Sequence, residues 1–323
     1  MPINMSASPP SLNAVHIKRT EERRYEVWFL RLGLADGSGA WWFRYLLLNP
    51  GRPGCPRNPR GMPVQIWATW FPRESTPQTF IKGFSVDSLS LSAPSARPFH
   101  LVHGENGIDE DSCRGLMSVD GHYIRWDLRY RSAFSVTLSD RGRIGFSRTP
   151  HSDAVFSGEI VFDGRFFRGE PLGHGLQGHN CGRRQRQMWK WSHAIFTDAD
   201  GLGLPTFEAL EYEMPLGMRF RKAVLWTGGE THTFRKFESV QRDGESGHWS
   251  FDCANLRRGT RLQVSITGGG ASLHRLPYLR TDCSGTFDVA NNSLARATLK
   301  FSRHGQPDVE LATDVNAVLE ITG

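Results

Sequence analysis

Long apolar runs are missing from this chain: nothing approaches the roughly 20 consecutive residues that a membrane-spanning helix needs, so a soluble protein with no transmembrane segment is expected. Cysteine is scarce. Cys55, Cys113, Cys181, Cys253 and Cys283 are odd in number and widely spaced, which argues against a disulfide framework and against paired CxxC zinc ligands, and favours reduced thiols. The opening residues carry Ser and Pro but no basic segment leading into an apolar one, so no secretory leader is expected and the cytoplasm is the expected compartment. Charge of one sign never accumulates either. The net +6 comes mostly from arginines dispersed among acidic residues, not the basic face that nucleic-acid binding requires, and no nucleic-acid partner is expected. The densest basic cluster, Arg183, Arg184 and Arg186, either grips a phosphate or carboxylate or lies solvated beside a strand.

Helical periodicity is absent as well, since no stretch of a dozen residues repeats its apolar positions every 3.6 residues. Alternation with period two is what recurs. His122, Ile124, Trp126, Leu128 and Tyr130 share one side against Tyr123, Arg125, Asp127 and Arg129, and Leu262, Val264 and Ile266 alternate likewise with polar neighbours. Further β-rich runs fall at 25–32, 40–48, 64–71, 134–138, 159–162, 218–226 and 298–301. With 34 Gly and 18 Pro closing segments at short intervals, the pattern predicts an all-β fold of sandwich or barrel type.

The length suits two domains of ordinary size. The turn-rich segment 169–178 is the expected boundary, giving a flexible N-terminus over 1–20, one domain over 21–170 and a second over 171–323. The five prolines of 49–63 forbid a regular ladder there and predict a long loop, a candidate mobile lid, and 141–153 reads as irregular.

Chemistry-bearing residues concentrate near the centre. His174, Gln177, His179, Asn180 and Cys181 stand among glycines that let a ligand approach the backbone. Immediately after, Trp189, Trp191 and His193 alternate with Lys190, Ser192 and Ala194, so a strand here sets two indoles and an imidazole in one row. A purely structural role competes, because Trp in a barrel is usually core and a neighbouring His usually a satisfied hydrogen-bond partner. The spacing of His174, His179, Cys181 and His193 matches no standard zinc pattern, so no metal site is expected. Nor does Cys181 carry the local signature of a cysteine hydrolase.

Gly178-His179-Asn180-Cys181-Gly182 followed by Trp189-Lys190-Trp191-Ser192-His193 resembles the lipocalin-like superfamily of carotenoid hydratase (hydroxyneurosporene synthase), tocopherol cyclase and fungal decalin-forming Diels-Alderases, nearest to its uncharacterised bacterial tocopherol-cyclase-like members. Cys181 stands where that family carries Trp. The Cys- and Asn-rich stretch from Asp282 to Ser293 is a weaker echo. The resemblance implies two lipocalin-like antiparallel β-barrel domains packed together around a hydrophobic cavity.

It also implies an apolar ligand, an isoprenoid, polyene or lipid-like molecule, taken without a cofactor. In such cavities an acid protonates an alkene and aromatic faces stabilise the cation until water or an internal hydroxyl captures it, or the cavity merely folds a polyene into a reactive shape. The expected catalytic residues are His179, Asn180, His193 and Glu211, although no spacing separates Glu211 from Glu208, Glu213 or Asp198 as proton donor. Trp41, Trp42, Trp67, His174, Gln177, Trp189, Trp191 and Tyr212 are the expected ligand-binding residues. A hydratase or cyclase is the leading expectation, with a non-catalytic lipid carrier as the alternative.

Overall fold

In the computed structural model the described residues are 11–52, 55, 61–93, 96, 99–186, 188–196, 204–240, 247–268 and 273–322. They form strands joined by turns and three short 3-10 segments, with no α-helix among them. The first half runs β1 (Tyr25–Leu34), β2 (Gly39–Leu48), β3 (Val64–Pro72), β4 (Gln78–Phe84), β5 (Leu89–Leu91), β6 (His100–His103), β7 (Asn106–Asp109), β8 (Ser112–Val119), β9 (His122–Arg131), β10 (Val136–Asp140), β11 (Gly145–Phe162) and β12 (Arg165–Gly182). The second runs β13 (Trp189–Ile195), β14 (Thr206–Glu213), β15 (Arg219–Trp226), β16 (Thr231–Phe234), β17 (Phe237–Val240), β18 (His248–Asn255), β19 (Thr260–Thr267), β20 (His274–Leu279), β21 (Thr286–Arg303) and β22 (Val309–Ile321).

One topology is used twice. The first sheet has the order β4-β3-β2-β1-β12-β11-β9-β8-β7-β6-β5 with β10 on β11, and the second β16-β15-β14-β13-β22-β21-β19-β18-β17 with β20 on β21. Apart from β5 and β6, the two orders correspond strand for strand. Each sheet curls into a barrel, and the fold is all-β with two barrel domains, as the alternation predicts.

Each barrel fills its interior from one face of its strands. Trp28, Trp41, Phe43, Trp70 and Trp126 occupy the first, and Phe207, Trp249, Phe251, Leu262 and Ala297 the second. The opposite faces of β1–β3 are buried against the second sheet, where Phe29, Trp42, Phe71, Trp191, Leu210 and Val318 meet. That is why β2 reads as an apolar run broken only at Arg44 and is buried along its whole length.

Five expectations change here. The N-terminal segment is held among the described residues, since residues 1–10 lie outside them but Asn13, Ala14, Val15 and Ile17 are buried, Val15 and Ile17 in the core of the first barrel. Glu26 accepts the backbone N–H groups of His16 and Ile17 at 2.9 and 2.7 Å, and Asn13 Nδ2 donates to Gln177 Oε1 at 2.9 Å. Two apolar side chains in the barrel interior, Val15 and Ile17, give this segment a reason to order.

The expected boundary segment 169–178 is instead part of β12, and the chain changes sheets between Gly182 and Trp189. Its glycines allow close strand approach; a Cβ at Gly175 would run into the Arg31 carbonyl oxygen. In 141–153, a 3-10 turn at Gly142–Ile144 leads directly into β11, whose register shifts between Arg148 and Ala154 explain the broken alternation.

Nor are all thiols reduced, because Cys55 and Cys283 form a disulfide across the two halves while Cys113, Cys181 and Cys253 are free and buried. Sequence separation hid a pair that the fold brings together. Such bonds persist in oxidising compartments. The described parts of 49–63 are tied down, by this bond and by Asn49 Nδ2 donating to Thr281 O at 2.8 Å; residues 53–54 and 56–60 of the expected lid lie outside the described residues. No helix among the described residues is long and apolar enough to cross a membrane.

Candidate functional site

Between the two sheets lies a cavity of about 440 Å³. Successive residues of a strand point to opposite faces, and that rule decides which central residues reach it. Phe29 and Trp42 enter from the first sheet, Trp189, Trp191 and Leu210 from the second, and Asn180 from the end of β12. Polar groups stand among these aromatic walls. Asn180 Oδ1 is buried with no hydrogen-bond partner among the described residues, and so is the indole N–H of Trp42.

Glu320, on β22 beside Trp191 and Asn291 in the sheet register, also lines the cavity. Tyr278 Oη donates to its Oε1 at 3.2 Å and Asn291 Nδ2 at 3.0 Å. Burial pushes the Glu320 pKa up, against the pull of these donors and of nearby Arg44. Arg44 completes this wall: its guanidinium carbon lies 4.0 Å from the ring centre of Tyr278 and 4.6 Å from that of Trp67.

Deeper in the junction a second polar group is closed off. Arg31 donates to the carbonyls of Ser293, Val315, Ala317 and His174, bolting β1 to β21 and β22, and burial lowers its pKa to about 9. Glu208 accepts from Thr149 Oγ1 at 2.7 Å and from the Trp191 indole N–H at 2.9 Å. Its pKa is raised to about 7 by burial, despite those donors. His193 sits 2.6 Å from the Ser152 carbonyl through Nε2, and burial drives its pKa down to about 3, so the ring is neutral and donates there.

The remaining residues named from the sequence lie elsewhere. His179 and Gln177 face the first barrel: His179 bonds Leu12 O at 2.7 Å and Glu26 at 2.9 Å and stacks on Trp28, so it clasps the N-terminal segment. Trp41 is core on the face opposite Trp42, packed on Phe43 and Trp70. Trp67 lies beneath Arg44. His174 is half-buried on the junction face, with its pKa lowered by burial. Tyr212 carries the Arg186 guanidinium 3.1 Å over its ring, and Arg186 forms the cavity wall there. Glu211 turns to the other face from Leu210 and is neutralised by Arg221 at 2.9 Å, with Lys190 and Arg219 farther off. Of the other carboxyls considered, Glu213 lines the cavity and Asp198 lies outside the described residues.

Sequence reasoning missed Glu320 and Arg44. Each is a charged residue flanked by apolar ones, in Ala-Val-Leu-Glu-Ile and in Trp-Trp-Phe-Arg-Tyr. That interruption is the signal that points to them. Among the described residues no three metal-ligating side chains come together.

No family model matches the sequence, and no curated protein matches it. Solved structures do. Kievitone hydratase from Nectria haematococca superposes with a TM-score of 0.56 at 11% identity, over 98% of this chain and 96% of its own. CghA gives 0.58 at 14% identity over 99% and 94%, and CghA with Sch210972 gives 0.59 at 11% over 93% and 89%. Identity this low carries the fold and no more. The chain shares the all-β, two-barrel fold of these proteins.

Proposed function

We propose that this protein is a cofactor-independent enzyme of hydratase or cyclase type, acting on an apolar substrate such as an isoprenoid or polyene in the cavity between the sheets. One observation carries the reading: a buried carboxyl with a raised pKa, Glu320, stands on the wall of a cavity that also presents the rings of Phe29, Trp42, Trp189 and Trp191. Burial that pushes a carboxyl's pKa up favours its proton-bearing form and suits it to act as a general acid. Glu320 would deliver its proton to an alkene carbon, leaving a cation facing Trp42, Trp189 and Trp191. Water or a substrate hydroxyl then closes on the cation, and the Glu320 carboxylate recovers the proton it gave. Asn180 Oδ1, buried and without a hydrogen-bond partner among the described residues, would accept a hydrogen bond from that oxygen. His179 and Glu211, each committed to other partners, take no part.

The test is incubation of the purified protein with a polyene and isoprenoid panel in deuterium oxide, followed by mass spectrometry. Products carrying deuterium at carbon are expected, falling by about 10²- to 10⁴-fold in Glu320→Gln while binding persists. Bound substrate without product would instead favour a carrier.

A further inference from the structure

We propose that Arg44 anchors an acidic oxygen of the ligand, so that the cavity takes amphipathic molecules bearing a carboxylate, enolate or phenolate on an apolar body, in preference to neutral ones. This rests on the preceding assignment of the inter-sheet cavity as the ligand site.

Arg44 is 6% exposed and lines the cavity. It sits in the corner made by Trp67 and Tyr278, whose rings meet at 86°. Both rings attract the cation without neutralising it. Among the described residues no carboxylate forms an ion pair with Arg44, and its Nη1, fully shielded, meets no acceptor. A buried guanidinium with an unused donor is costly unless something completes it.

Arg31 shows how this fold satisfies an arginine when the role is structural: it surrounds the group with backbone carbonyls. No such carbonyls reach Arg44 Nη1. The carboxyl nearest in chemistry, Glu320, is already engaged by Tyr278 and Asn291, and its burial favours the uncharged form. Charge along the rest of the wall points the same way. Arg141, Arg183, Arg184 and Arg186 line the cavity against a single further carboxylate, Glu213. A planar fork offering two parallel N–H donors fits a carboxylate or an enolate better than an alcohol. The predicted ligand therefore lays its apolar body against Trp42 and Trp191 and turns its acidic oxygen to Arg44.

All-trans-retinoic acid and all-trans-retinol share one polyene body and differ at the oxygen group, so they serve as paired probes. Their affinities are read by quenching of tryptophan fluorescence in wild type, Arg44→Met, Arg44→Lys and Glu320→Gln, each first checked for folding by circular dichroism. Wild type should bind the acid roughly ten- to a hundredfold more tightly than the alcohol, as a charge-assisted pair implies. Arg44→Met should erase that preference and leave retinol binding within a few-fold, Arg44→Lys should restore part of it, and Glu320→Gln should keep it. Equal binding of the two probes by wild type, no binding of the acid, or an unchanged preference in Arg44→Met would overturn the proposal. Should a variant not fold, the wild-type ratio still decides. Acid preference without any deuterated product defeats the catalytic reading and leaves the anchor standing; product without acid preference does the reverse.

Discussion

Arg31 on β1 and Arg44 on β2 leave the same face of the first sheet toward the second and meet opposite fates. Arg31 is wrapped by carbonyls of β21, β22 and β12, whereas Arg44 reaches a cavity where it lies against the rings of Trp67 and Tyr278 and its Nη1 meets no acceptor among the described residues. The junction is thus two regions, one closed by satisfied hydrogen bonds and one left open with unused donors and acceptors. Closure is what a structural polar group looks like; the unfinished group is the one that awaits a ligand.

The largest effect that would test this contrast is on the closed side. Arg31→Met removes donors to several buried carbonyls at once and should destabilise the protein by about 3–5 kcal/mol, read from urea unfolding. A cost below about 1 kcal/mol would mean the carbonyls find other donors and the bolt is not one.

Glu208 gives the next effect, through pH. Its folded pKa of about 7 lies above the ordinary 4.5, so the folded state keeps a proton that the unfolded state releases. That contribution is fully present below pH 4.5 and is lost as pH rises through 7. Wild type should therefore lose on the order of 3 kcal/mol between pH 5 and 8.5, and Glu208→Gln should flatten the curve. His193 acts oppositely, its lowered pKa withdrawing stability as pH falls below 6.5 toward 3. Parallel melting curves for wild type and Glu208→Gln over that range would refute the assignment of Glu208 as a buried, proton-holding group.

Smaller again is the covalent tie beside the open side. Cys55–Cys283 joins the two halves across 228 residues of sequence, and its reduction should cost about 2–3 kcal/mol. Thermal melting with and without dithiothreitol reads this directly, and Cys55→Ser should be insensitive to the reductant.

How far the sequence shows this contrast depends on which physical rule each residue obeys. Period-two alternation is local, so the strands, the all-β class and the shared row of Trp189 and Trp191 are legible. The rule also separates Trp41 from Trp42 and His179 from Asn180, but only once one residue of each strand has been assigned to a face. What alternation cannot supply is which strands meet across the junction. Cys55 finds Cys283, and Arg44 finds Tyr278 and Glu320, through a register between sheets that no neighbouring residue encodes. The glycines of 169–178 misled for a related reason: they mark close approach to β1 as readily as a turn. A charge flanked by apolar residues is the local mark shared by Arg31, Arg44 and Glu320, and it says that a partner exists without naming it.

The smallest effect is the sharpest test of the difference between the two arginines. Arg44→Met gives up its attraction to Trp67 and Tyr278, roughly 0.5–2 kcal/mol, and also removes a buried charge that no carboxylate pairs among the described residues. Methionine keeps apolar volume against both rings. These changes oppose each other, so the stability of Arg44→Met should stay within about 1 kcal/mol of wild type, where Arg31→Met loses several times as much. In urea unfolding of the two variants side by side, a loss for Arg44→Met as large as that for Arg31→Met would mean that Arg44 is already satisfied within the fold. The open side of the junction would then be as structural as the closed one. A small loss, beside a large one for Arg31→Met, leaves Arg44 as a charge the fold tolerates without using, which is the condition a ligand anchor has to meet before the ligand arrives.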